Sequence, residues 1–279
     1  MTYLLALGSA VLYGAADFTG GLTTRRAGAL PVVVLSQASG LVLVALLLPL
    51  LPPATPTRAD LWWGAAAGVT GGIGVALLYR ALSIGAMAVV APTTAVCAVA
   101  IPVVIAVLLG ERPAPLAAAG IALGIVSIVL VSRQPTTHQG SRSAGVGTAL
   151  VSGIAIGLFY VTLAQTKPDA GLWPLLVNRA VSVVLFGAGA VATAQSLRLQ
   201  PGIAGLVAVG GAMDMLANAL YMLAARQGPL SLVVTLSSLY PASTVVLARV
   251  LLGERLNPWQ ASGVGCALAA VVLIVSGGR

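Results

Sequence analysis

Residues 228–275 begin Gly228-Pro229-Leu230, pass through Ser237-Ser238-Leu239-Tyr240-Pro241, and reach the charged turn Leu252-Gly253-Glu254-Arg255-Leu256-Asn257-Pro258 between two apolar runs. The same turn stands earlier as Leu109-Gly110-Glu111-Arg112, with Pro115 in the place of Pro258. Glu254 and Glu111 are 143 residues apart, close to half of the 279-residue chain. At the same offset Gly14 falls on Gly157, Thr19 on Thr162, Gly28 on Gly171, Pro31 on Pro174 and Gly85 on Gly228. With one gap, Tyr79 meets Tyr221 and Gly68 meets Gly210. Leu and Ala coincide by chance in any apolar sequence, but an ordered series of turn residues does not. The chain reads as two copies of one unit.

Hydrophobic residues make up 59% of the sequence and charged residues 7%, with mean hydropathy +1.05. A soluble domain carries about 25% charged residues, so this composition cannot cover a surface in water. The apolar runs approach the roughly 20 residues that a helix needs to cross hydrocarbon, rather than the alternating ten-residue segments of a barrel. The expected class is therefore all-α integral membrane, with the lipid bilayer as solvent. A net charge of +8 suggests nucleic acid in a soluble protein; here scattered Arg residues read as headgroup anchors, and no nucleic-acid partner is expected. Cys97 and Cys266 lie inside apolar runs and read as packing residues.

Hydropathy and turn residues predict ten spans, at about 2–23, 30–50, 59–82, 86–108, 114–132, 144–166, 172–194, 201–225, 229–250 and 257–276. Trp62, Trp63, Trp173 and Trp259 all fall at span starts, where indole rings prefer the headgroup level. The first repeat covers 1–133, a polar linker 134–143, and the second repeat 144–279. Five is odd, so the second half lies inverted relative to the first, an arrangement that in secondary transporters places the site near the midplane. The loops of one face carry Arg25, Arg26, Arg133, Arg142, Arg198 and Arg255, those of the other Arg58, Arg112, Lys167, Arg226 and Arg279. That balance does not fix the orientation.

The order Tyr221, Gly228, Leu239-Tyr240-Pro241, Leu252-Gly253-Glu254-Arg255, Gln260 and Gly263 resembles the second EamA domain of the drug/metabolite transporter superfamily. The first half resembles the same domain through Tyr79, Ala81-Leu82, Gly85, Pro102 and Leu109-Gly110-Glu111-Arg112. The resemblance implies a non-enzymatic, multi-pass inner-membrane protein with both termini cytoplasmic. It implies a central cavity lined mainly by helices 1, 3, 4, 6, 8 and 9. The superfamily carries amino acids, other metabolites, sugar nucleotides and drugs, and its bacterial members include exporters of amino acids, aromatic ones among them. The expected function is a secondary transporter, monomeric and without cofactor, that exports small amphiphilic metabolites, amino acids first. Drug or other metabolite efflux, with proton coupling, is the alternative. A non-transporting sensor or scaffold predicts a soluble domain or a long charged tail, and the sequence has neither.

An ionisable side chain in hydrocarbon costs at least about 2.5–3.5 kcal/mol, so each one needs a reason. Asp17 lies deep in span 1 on a stripe with Ser9, Tyr13 and Gly20, and Asp214 in span 8 shares a face with Asn218 and Tyr221. Each reads either as a translocation-path residue or as a hydrogen-bond hub. The small multidrug members of the superfamily carry their acid at what looks like the Gly14 position; Asp17 stands nearly a turn further on. Arg179 in span 7 reads either as an ion-pair partner for one of these acids or as a group that meets a substrate carboxylate. Tyr79, Tyr160 and Tyr240 offer flat apolar faces with a hydroxyl, suited to an amphiphile. Thr235 and Ser238 continue a polar ladder from Ser231 that either lines the path or bonds the preceding turn.

Pro92 and Pro102 interrupt span 4 and Pro241 interrupts span 9, which makes them candidate hinges. The Glu111-Arg112 and Glu254-Arg255 turns read as braces of their own helical hairpins. A metal or hydrolytic site is not expected, because His138 is the single histidine and sits in the linker.

Overall fold

The computed structural model describes residues 1–108, 110, 114–132, 145–227, 233 and 236–277. Thr235, Ser231, the Glu111-Arg112 turn and the 134–143 linker lie outside the described residues. Among the described residues the chain forms ten α-helices: α1 (Thr2–Ala27), α2 (Ala29–Leu47), α3 (Arg58–Ile84), α4 (Met87–Leu108), α5 (Pro115–Ser132), α6 (Val146–Leu163), α7 (Trp173–Ala192), α8 (Pro201–Gln227), α9 (Tyr240–Leu252) and α10 (Pro258–Gly277). Six segments, built on α2, α3, α6, α7, α8 and α10, are individually long and apolar enough to cross a membrane.

Local chemistry sets the helix ends. Thr57 and Asp60 form a reciprocal capping box at the start of α3, with Thr57 N–H donating to Asp60 Oδ2 at 2.8 Å. Asn257 and Gln260 exchange the same pair of bonds at α10. Gly253, at φ 64°, ends α9 in the left-handed conformation that other residues resist. Trp62, Trp63, Trp173 and Trp259 are exposed at the first turns of α3, α7 and α10.

Span 9 departs from the expectation of one helix with a proline in its middle. A turn at Ser238-Leu239 precedes α9, and Pro241 occupies its first turn. There the missing N–H is no loss and the fixed φ suits helix initiation. Any flexibility at this point belongs to the turn, and Pro241 starts a helix instead of kinking one. Pro92 and Pro102 do lie inside α4.

Packing repeats with the sequence. The contact of α1 with α8 is matched by that of α6 with α3, α2 with α8 by α7 with α3, and α1 with α9 by α6 with α4. The pairs α2–α7, α4–α9 and α5–α10 join equivalent helices of the two halves. An inverted pair of five-helix repeats around a pseudo-two-fold axis has this pattern. The halves are interlaced: one bundle is α1, α2, α8 and α9, the other α3, α4, α6 and α7, with α5 and α10 packed together at the flank.

Small residues permit the interlacing. A Cβ on Gly68 would stand 2.7 Å from the carbonyl oxygen of Asn178 and 2.8 Å from Val181 Cβ, so α3 and α7 touch backbone to backbone. Gly68→Ala is therefore expected to push α7 away and cost about 1–3 kcal/mol. Its detergent melting temperature should fall by roughly 3–10 °C. Gly187→Ala, at a position with nothing within 4 Å, should leave it unchanged or raise it.

Candidate functional site

Chain direction alternates from helix to helix, which gives every residue a depth. Call the side on which α1 begins the Met1 face, and the opposite side the far face. Asp214 stands 13 residues from either end of α8, or ~20 Å, and so at the middle of its helix. Around that level the two bundles part to leave a cavity of about 630 Å³, counted with its open mouth. One wall carries Tyr13 and Asp17 of α1, Gln37 of α2, Asp214 and Asn218 of α8, and Tyr240 of α9. The other carries Gly71, Val75 and Leu78 of α3, Ile156, Phe159 and Tyr160 of α6, and Asn178 and Arg179 of α7. Helices 2 and 7 thus contribute to the lining, and among the described residues α4, which the resemblance implied, supplies no lining side chain.

Arg179 is the polar centre of the cavity. It is 7% exposed, and its guanidinium donates to the carboxylate of Asp214 and to the amide oxygen of Gln37. One side chain from α7 thereby ties α8 and α2 of the opposite bundle. A buried cation is tolerable only with such partners, since an unpaired charge out of water loses several kcal/mol of solvation. Gly40 of α2 lies alongside it, where a Cβ would sit in ordinary contact at 3.5 Å from Arg179 Nε. Asn218 fixes itself to the same helix, its amide nitrogen donating to the Asp214 carbonyl at 2.8 Å. Gln37 carried no signal in sequence beyond being a lone amide in an apolar span.

Asp17 is different. It is 8% exposed, lines the same cavity, and has no hydrogen-bond or ion-pair partner among the described residues. Around it the cavity is aromatic and apolar. Tyr13 and Tyr240 meet edge to face with ring centroids 6.0 Å apart, and Phe159 and Tyr160 at 5.3 Å. Tyr160, 40% exposed, stands at the mouth.

Tyr79 does not line the cavity. It is 2% exposed, its ring packs over Gly20, and its hydroxyl lies 3.4 Å from Ser36 Oγ. Glycine on α1 makes room for that ring, so Tyr79 joins α1, α2 and α3 in the core behind the cavity. Ser238 is half-buried in the turn before α9 and is not among the lining residues.

Hydrogen bonds across the two bundles are distributed unevenly. Among the described residues, those between side chains of one bundle and helices of the other lie at the Arg179 level or nearer the far face: Tyr79 with Ser36, and the contacts of Arg25 and Glu254 described below. On the Met1 face, side-chain bonds stay within a bundle, as in Thr2 on Gln227 and Lys167 N–H on Asp60 at 2.8 Å. Between the cavity and the far face, Phe18, Leu78, Leu82, Met87 and Ala91 pack into one apolar cluster. Toward the Met1 face the bundles meet through apolar side chains, Val44 and Met215 against Leu172 and Leu175.

A family model for the EamA-like transporter family matches residues 1–133 and 143–276. No curated protein matches the sequence. A solved crystal structure, described only as that of a protein, superposes with TM-score 0.66 at 15% identity, covering 98% of this chain and 95% of its own, a likeness of fold alone.

Proposed function

Because the chain belongs to the EamA-like transporter family, as a multi-pass membrane transporter and not an enzyme, we propose that its cargo is an amino acid with an apolar or aromatic side chain, exported by alternating access. The supporting observation is the cavity between the bundles, where one unpartnered carboxylate, Asp17, stands among tyrosines and aliphatic side chains. A buried carboxylate favours a cationic group, and the substrate ammonium supplies it. The side chain of the substrate rests against Val75, Leu78, Ile156 and Phe159, flanked by Tyr13, Tyr160 and Tyr240.

In this reading the first repeat occupies 1–133, the second 144–279, and both termini are cytoplasmic in a cell inner membrane. The Met1 face is then the cytoplasmic one, the side from which an exporter loads. Pro92 and Pro102 in α4 and the turn before Pro241 are the bending points of the cycle, and the transporting unit is a monomer.

One observation favours the alternative of drug or other metabolite efflux, for cationic compounds: Arg179 is already occupied by Asp214 and Gln37, so among the described residues the cavity offers an unpartnered carboxyl group and no unpaired cation. Proteoliposome flux separates the two. Labelled leucine and phenylalanine should move, with or without a pH gradient, while phenethylamine moves more slowly. Flux of the amine alone would assign the protein to cation efflux, and gradient-dependent exchange would add proton coupling.

A further inference from the structure

We infer that Glu254 and Arg25 form a latch that holds the far face shut and must release for substrate to leave. Glu254 is the acid of the recurring Leu-Gly-Glu-Arg turn, and it does not brace its own hairpin. Its carboxylate crosses to the opposite bundle and accepts the backbone N–H of Met87 and of Ala88, both at 3.1 Å. These are first-turn amides of α4, two of the donors that a helix leaves without internal partners, so an acid there is held by charge and by hydrogen bonds together. Arg25, in the last turn of α1, lies 3.5 Å from the same carboxylate. It also donates to the carbonyls of Leu82 at 3.2 Å and Gly85 at 3.1 Å, at the end of α3.

Two side chains of one bundle, at the ends of α1 and α9, thus grip the α3–α4 turn of the other from both sides. The grip sits over the apolar cluster that separates the cavity from the far face. Within that second bundle the turn is backed by the start of α6: a Cβ on Gly145 would stand 2.8 Å from the Ala81 carbonyl, so the turn is a firm surface to grip. For the cavity to open toward the far face, α1 and α9 must part from the α3–α4 turn, and these bonds are what they part from.

The repeat makes the latch one-sided. Glu254 has its counterpart in Glu111, but Arg25 falls on Pro168, between the in-register pairs Thr19–Thr162 and Gly28–Gly171. The Arg25 half of the latch is therefore not repeated in register, the nearest cation there being Lys167, one residue away. Two inverted halves of identical sequence would have equal energies open to either side. Arg25 breaks that equality and biases the resting protein against opening at the far face, whatever the substrate is.

The test is alkylation of purified full-length protein in detergent by a polar maleimide, with Cys97→Ser and Cys266→Ser as background. Thr24→Cys provides the probe, since Thr24 is 6% exposed beside the latch and its hydroxyl has no partner to lose. Val44→Cys, buried toward the Met1 end of α2, is the control. Adding Arg25→Gln or Glu254→Gln should raise alkylation at position 24 about tenfold and leave position 44 unchanged, while Arg25→Lys stays near the parent rate. Equal rates at position 24 in all backgrounds would overturn the latch. So would a parallel rise at position 44, which would make the contact a general brace.

Discussion

Arg179→Ala is expected to destabilise the protein by about 2–4 kcal/mol, because it leaves the partly buried Asp214 without its cation and frees the buried Gln37 as well. Against a total stability of about 5–15 kcal/mol, such a loss should show as a sharply reduced monodisperse yield and a melting temperature lower by many degrees. The diagnostic variant is the pair. Arg179→Ala with Asp214→Ala removes both charges, and it should recover at least ~1–2 kcal/mol relative to the single change. Strict additivity of the two would mean that the pair contributes nothing as a pair, and the tie between α7 and α8 would have to rest on packing alone.

Asp17→Asn should do the opposite, leaving the fold intact and stopping the work. The carboxamide keeps the shape and removes an unpartnered ionisable group from the middle of the membrane-spanning bundle, so the melting temperature should stay level or rise. Transport should fall about a hundredfold, the loss expected from deleting ~2.7 kcal/mol of interaction with a substrate cation. Tyr79→Phe, in the core behind the cavity, is the matched control and should transport at close to the normal rate. If the tyrosine variant lost transport and the aspartate variant kept it, the cavity wall would be wrongly assigned. Together the two variants separate what the sequence presents as equals: Asp214 pairs with Arg179 across the bundles, and Asp17 is the acid that the proposed function assigns to the cargo.

The sequence shows its architecture because turn chemistry is local. A glycine with positive φ followed by an acid and an arginine marks a helix end wherever it occurs, so its recurrence 143 residues later reveals the duplication before any contact is known. Asp17 and Asp214 are visible for a similar reason, since an acid inside an apolar run is improbable without a role. Partners are another matter. Nothing near Glu254 predicts that its carboxylate caps a helix beginning 167 residues earlier, and the local reading as a hairpin brace follows from neighbours alone. Gln37 is neutral, so the insertion-cost argument passes over it, although it is as deeply committed to Arg179 as Asp214 is. Leu239-Tyr240-Pro241 supports two readings by its own chemistry, a kink in a long helix or the first turn of a new one, and tertiary placement chooses the second.

The central claim is that the cavity between the interlaced bundles is where an amino acid rides. Photo-leucine, irradiated with the full-length protein in proteoliposomes and mapped by peptide mass spectrometry, tests it with no substitution at all. The account predicts insertion into α1 near Tyr13, α3 near Val75 and Leu78, and α6 near Phe159 and Tyr160, suppressed by excess unlabelled leucine. Insertion confined to the outer, lipid-facing helix surfaces, or label in the cavity that leucine does not displace, would contradict it.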